Sequence, residues 1–197
     1  SIPELARGLR DGTVKAEAVA EAAIARHDRH GKKLGAYKLW KPDAAKRSAR
    51  AAALLFKNGI DLGPMQGIPV SIKDLYAAKG WPTFAVTPKR LPREYEVEGP
   101  VVAALRAQQA VFPGKTHTVE FAYGGIGSNI HWGTPRNPWD AKRHRVPGGS
   151  SSGAGVSLCE GSALIALGTD TGGSVRIPAS LTGNVGIKTS IGRWSRA

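Results

Sequence analysis

The stretch His144–Ser180, HRVPGGSSSGAGVSLCEGSALIALGTDTGGSVRIPAS, decides the fold and raises the question of function. Three serines run together at Ser150–Ser152, another follows a Gly-Gly pair at Ser174, and charge is sparse. SSSGAGVSLCEG reads as a helix of small residues. SALIALG is short and apolar, as a buried strand is, and SVRIPASLTG opens a further helix. Glycine at this density serves tight turns and close backbone approach.

Upstream the same alternation recurs. GIPVSIKD (Gly67–Asp74) is an apolar run ending in a lysine and an aspartate, which predicts a buried strand emerging at a charged tip. EGPVVAALRAQQA (Glu98–Ala110) reads as a helix, followed by a second strand-like piece and the glycine-rich GKTHTVEFAYGGIGSN. Nearer the N-terminus, TVKAEAVAEAAIARHDRH predicts an alanine-rich helix capped by Thr13 and stopped by Gly31. A further helix runs from near Asp43 to Gly59. His27 and His30 read as solvated helix-end side chains. Strands alternating with helices imply an α/β fold, a mixed and largely parallel sheet core covered by helices.

The bulk properties narrow the function. A chain of 197 residues can bury a real core, and the single Cys159 excludes an internal disulfide. That usage fits a reducing cytoplasm, and Cys159 in its small-residue run reads as buried filler. No apolar run is long enough to span a membrane, and SIPELARGLRDG lacks a signal-peptide core. The net charge of +13 calls for a nucleic-acid test. Basic clusters occur at Thr87–Arg93 and Asp140–Arg145 without interleaved aromatics, so a solvated basic surface is expected rather than a nucleic-acid partner.

Several familiar motifs nearly match. A P-loop ending in GKT at Gly114–Thr116 would need glycine at position 109, where Gln109 stands. GGIGSN lacks the last glycine of a dinucleotide fingerprint, and no His/Cys/Asp cluster has metal-ligand spacing. GSSSG (Gly149–Gly153) satisfies G-x-S-x-G and would make Ser151 a nucleophile. Its lead-in, however, is charged and broken by Pro147, and no histidine follows Ser151. A serine hydrolase here needs another base. Lys73, at the strand tip, can serve if burial makes it neutral; the alternative is a surface lysine beside Asp74.

Taken together, GIPVSIKDL, NPWD, VPGGSSSG, LGTDTGGSVRIPAS and GNVGIKTSIGR, in this order, resemble the blocks of the amidase signature family. The resemblance implies that family's fold and a cofactor-independent, metal-free acyl transfer that cleaves carboxamides through a Ser–cis-Ser–Lys triad. Carried over, Lys73 is the base, Ser150 the bridging cis-serine and Ser174 the acylated nucleophile. The N–H groups of Thr171, Gly172, Gly173 and Ser174 can converge as an oxyanion hole. Asp170 and Arg176 are expected as a buried pair fixing the loop, with carboxylate binding by Arg176 as the alternative. Ser151 and Ser152 are expected to serve as turn and helix-capping hydroxyls, or to support the lysine. Trp132 and Trp139 read as packing residues, and His117 and His131 as ordinary polar contacts.

Family members continue well past residue 197, so residues 1–197 are expected to be the N-terminal part of a single amidase signature domain whose C-terminal part is absent. The expected partners are a small-molecule amide and either a second copy of the chain (a homodimer) or the missing C-terminal segment, with no membrane. The details favour a small-amide hydrolase. A glutamine-hydrolysing amidotransferase component is the second reading, and an inactive fragment with a basic surface the third.

Overall fold

Each strand of the central sheet is only three or four residues long, so pairing between distant segments rather than local propensity must build it. The computed structural model describes residues 1–194. Four strands, β1 (Tyr37–Trp40), β2 (Val70–Lys73), β3 (Gly114–Thr116) and β4 (Ile165–Leu167), lie in the order β1-β3-β2-β4. β2 pairs parallel to both β3 and β4, and β1 pairs antiparallel to β3. The helices are α1 (Ile2–Asp11), α2 (Ala16–Leu34), α3 (Pro42–Lys57), α4 (Pro100–Ala107), α5 (Ser152–Glu160) and α6 (Arg176–Thr182). The α/β class with a largely parallel sheet is therefore the observed one.

Alanine explains how the N-terminal helices reach the sheet. Ala16, Ala20, Ala45, Ala49 and Ala52 are buried in one cluster with Ile68, Val70, Ile72, Val102 and Val111. Small side chains let the helices approach one another and β2 closely, and the branched strand residues fill the remaining space. β2 is buried along its whole length. It carries Lys73 from that core to the strand's C-terminal tip.

Several boundaries differ from the sequence expectation. Thr13 does not cap α2, because its hydroxyl bonds the Asp11 carboxylate at 2.6 Å and the helix starts at Ala16. Gly31 does not stop it either: it packs beneath the His27 ring, and Gly35, at φ +63°, ends the helix. Neither α1 nor β1 stands out in the sequence. α1 rests on a capping box between Ser1 and Glu4, and β1 is half-buried without alternation, held by its register on β3. His27 is no solvated side chain: its Nδ1 lies 2.6 Å from Glu160 Oε1 and its ring stacks on Trp40 at 3.8 Å, tying α2 to the end of α5. Cys159 is half-buried rather than core, its Sγ 3.1 Å from the Thr182 carbonyl oxygen.

α5 packs against β2, Ser157 Oγ 2.9 Å from Ser71 Oγ, and its first turn comes down almost backbone to backbone on the segments beside β1 and β3. At Gly153 an added Cβ would sit 2.6 Å from the His117 nitrogen and would collide with the Ala36 carbonyl oxygen. Among the described residues β4 has no strand on its outer edge, and a groove of about 440 Å³ lined by Met65, Val70, Val101, Leu105, Ile165 and Leu167 opens beside it. No helix among the described residues is long and apolar enough to cross a membrane. Gly153→Ala should destabilise the fold by about 1–3 kcal/mol through overpacking, read as a lower urea midpoint with an unchanged m-value.

Candidate active site

The tips of β2 and β4 and the start of α5 converge on one buried amine. Lys73 is completely buried, and its Nζ donates to Ser150 Oγ and to Thr169 Oγ1, at 2.7 Å each. The surface-lysine alternative is thereby excluded. Burial lowers the Lys73 pKa from 10.5 to about 7, opposed by the negative charge of Asp170. A lysine of that pKa is substantially neutral near pH 7 and offers a lone pair to a hydroxyl proton. Asp74, next in sequence, turns away to a buried pair with Lys115, Nζ to Oδ1 2.7 Å.

Ser150 sits on a segment that only glycine can precede. The Gly149–Ser150 peptide is cis, Gly149 N–H donates to the Gly125 carbonyl at 2.7 Å, and Val119 N–H donates to the Ser150 carbonyl at 2.9 Å. A Cβ at position 149 would stand 2.7 Å from both Gly124 O and Gly127 N, so the two glycine-rich loops interlock. Ser150 is thus presented to Lys73 by backbone contacts on both sides.

Ser174 lies in the loop between β4 and α6. Its carbonyl accepts from Ser151 N–H at 3.1 Å, which places the two serine segments side by side. Its hydroxyl makes no hydrogen bond among the described residues, so the direct Ser150–Ser174 hydroxyl contact of a closed relay is not formed. The four-donor oxyanion hole also needs correction. Gly173 N–H is taken by Asp170 Oδ1 at 2.7 Å, whereas Thr171, Gly172 and Ser174 N–H have no acceptor among the described residues. Three donors remain available.

Asp170 organises this loop. Its buried carboxylate receives Arg176 Nε at 3.0 Å, Arg176 Nη2 at 2.9 Å, and the N–H groups of Gly173, Val175 and Arg176. The Arg176 contacts first, and then the backbone donors, hold its pKa well below the usual carboxylate range against the cost of burial. The pair bridges the two ends of the loop at 2.9 Å but, against expectation, is not buried as a whole, since Arg176 is 52% exposed.

Ser151 and Ser152 do not act as caps. Ser151 occupies the N-cap position of α5 without a capping bond, its Oγ reaching the Thr169 carbonyl oxygen only at 3.4 Å. Ser152 Oγ is buried without a partner, and neither serine bonds Lys73. That supporting role falls to Thr169, which motif reading missed. Its signal was available: Thr169 lies just beyond the tip of a parallel strand beside β2, and such carboxyl ends are where open α/β sheets build their sites.

The remaining residues lie outside this cluster. Trp132 faces the Lys38 ammonium, 3.3 Å from its ring centroid, and Trp139 is exposed, its Nε1 bonding the Thr182 carbonyl at 2.7 Å; neither is a core packing residue. His117 is buried against Asn129 at 3.2 Å, and burial with the Lys38 charge lowers its pKa to about 4. His131 lies 3.5 Å from Glu120. Among the described residues no group of His, Cys, Asp or Glu could hold a metal ion.

Known proteins resemble this chain in sequence and in fold. The chain is 54% identical over 194 residues to the 2-amino-5-chloromuconic acid deaminase of Comamonas testosteroni, covering 98% of this chain and 42% of that one. It is 38% identical to a glutamyl-tRNA(Gln) amidotransferase component of Anaeromyxobacter sp. (strain K), covering 98% and 39%. The native peptide amidase from Stenotrophomonas maltophilia superposes with a TM-score of 0.89 at 29% identity, over 100% of this chain and 41% of its own. The chain thus spans about two fifths of the length of these relatives. The amidase family model matches residues 18–197, which include every residue of the Lys73–Ser150–Ser174 set, and the chain belongs to the amidase signature family.

Proposed function

We propose that the protein is a cofactor-independent hydrolase that cleaves the C–N bond of a small carboxamide through a seryl acyl-enzyme on Ser174. The observation that carries this reading is the buried Lys73 amine, bound among the described residues only to the hydroxyls of Ser150 and Thr169. No ion pair among those residues fixes its proton. In the reaction Ser174 Oγ turns toward Ser150 and attacks the carbonyl carbon; its proton passes to Ser150, whose own proton moves to Lys73. The negative oxygen receives the free N–H groups of Thr171, Gly172 and Ser174, each worth ~10²–10³ in rate. Lys73 then returns the proton through Ser150 to the departing nitrogen, and water attacking by the reverse route frees Ser174.

The deaminase named above acts on a small acid, and a chain of net charge +13 would draw such an anion toward its surface. A small ammonia-releasing substrate is therefore the preferred class. The amidotransferase relatives support a second reading, glutamine hydrolysis with ammonia passed to a partner. In both readings residues 1–197 form the N-terminal part of one domain. The open edge of β4 and its apolar groove are the face on which the remainder of that domain would pack.

Fluorophosphonate labelling of the protein followed by peptide mapping should give a single adduct on Ser174, absent in Ser174→Ala and in Lys73→Ala. Adduct elsewhere, or labelling indifferent to Lys73→Ala, would refute the assignment. Ser150→Ala should lower the labelling rate about 10²–10⁴-fold while leaving the folded state intact. The rate should also climb with pH through a midpoint of about 7, because only the deprotonated amine accepts a proton; a midpoint near 10 would contradict a buried neutral base.

A further inference from the structure

We propose that the buried Asp74–Lys115 ion pair is a positioning device for the proton relay: it pins a strained corner at Ala85–Val86, and the backbone bonds leaving this corner set where Ser150 stands relative to Lys73. The consequence for rate rests on the function proposed above; the mechanical tie does not.

The pair faces away from the reacting groups. Lys115 of β3 is in register with Ile72, the residue before Lys73, so strand alternation turns it from the face that Lys73 occupies. Both charged side chains are fully buried, with Lys115 Nζ 2.7 Å from Asp74 Oδ1. The same ammonium donates to Thr83 Oγ1 at 2.9 Å and to the Pro82 carbonyl at 3.1 Å. Asp74 in turn accepts Phe84 N–H on Oδ2 at 3.2 Å and Ala85 N–H on its carbonyl at 3.1 Å. Every residue from Pro82 to Ala85 is thereby drawn onto the residue that follows Lys73.

That hold is needed because the corner is strained. Ala85 and Val86 are fully buried at φ +46° and +65°, a region that β-branched side chains rarely adopt. Phe121 and Ala122, at φ +44° and +62°, form a second such corner, and Phe121 N–H donates to the Ala85 carbonyl at 3.2 Å. Of the five non-glycine residues with positive φ among the described residues, these are four, and such clustering marks a conformation that the surrounding structure imposes. Two residues before Phe121, Val119 N–H donates to the Ser150 carbonyl at 2.9 Å. A continuous path therefore runs from Lys115 through Asp74, Ala85, Phe121 and Val119 to Ser150. Asp74 is also the covalent neighbour of Lys73. Without touching the relay, the pair thus grips both ends of the 2.7 Å contact between Lys73 Nζ and Ser150 Oγ.

The test separates holding the fold from placing the relay. In the full-length protein, Asp74→Asn and Lys115→Met each leave one buried partner without its counter-charge and should lower the urea midpoint. The double variant is neutral at this point and should recover most of that midpoint, yet it lacks the ammonium that gathers Pro82 and Thr83. Its Ala85, Val119 and Phe121 amides should therefore exchange hydrogen about tenfold faster than in the wild type, while those of Val70 and Ile72 in β2 keep their protection. Fluorophosphonate labelling of Ser174 should stay about 10–10²-fold slower, since a misplacement of about 1 Å in a reacting geometry costs that much. If the midpoint recovers and either the exchange or the labelling returns to its wild-type rate, the pair only stabilises the fold and the proposal is overturned. Should the double variant fail to recover, Thr83→Val, which removes one acceptor of the Lys115 ammonium, decides. It should speed Ala85 exchange and slow labelling; a wild-type value for either overturns the proposal. Faster exchange in the variants of a protein whose wild type gives no Ser174 adduct would sustain the tie and refute the hydrolase.

Discussion

The structure turns on one desolvated amine. A lysine carried by an apolar strand into a buried position either finds an anion or loses its proton, because the cost of an isolated buried charge exceeds what a pair of hydroxyl contacts returns. Here the partners are hydroxyls, Ser150 and Thr169, and the two carboxylates in its neighbourhood are bound elsewhere. The placement of α5, the interlocked glycine loops and the Asp170 cradle all serve that arrangement. The first two bring Ser150 to the amine, and the cradle holds the loop between Thr169 and α6 in place.

The glycines follow from the same requirement. The segment Gly148–Ser151 lies between two others, its Gly148 and Gly149 N–H groups bonding carbonyls of Gly124–Gly127 and its Ser151 N–H the Ser174 carbonyl. A side chain at Gly149 would push it away from Gly124 and Gly127, and one at Gly153 would push α5 away from Ala36 and His117; either would move Ser150 relative to the lysine. The glycine richness of the second half is thus a packing requirement of the site. Polar groups in such a crossing must find partners, and most do; Ser152 Oγ remains an orphan, and no contact explains it.

The N-terminal helices have a different task. Their alanine faces press on β2 and let the short strands pair despite weak local preference. The His27–Glu160 contact ties this layer to the far end of α5, whose opposite end presents Ser150. A side chain that looks solvated on a helical wheel therefore helps set the angle at which α5 meets the sheet. Only the position of Glu160 in space reveals that task.

By itself the sequence determined the alternation of strands and helices and the family, and through the family resemblance it singled out Lys73, Ser150, Ser174, Asp170 and Arg176 as candidates. Periodicity, glycine placement and motif order are local properties, and local properties can be read from a string of residues. Tertiary structure alone decided that Lys73 is buried, that Thr169 rather than Ser151 or Ser152 is its second partner, and that Gly173 N–H is spent on Asp170. It likewise decided β1, which exists only because β3 offers it an edge. Each of these depends on which atoms meet across tens of residues, and a pKa, a hydrogen bond or a strand pairing is a property of that meeting.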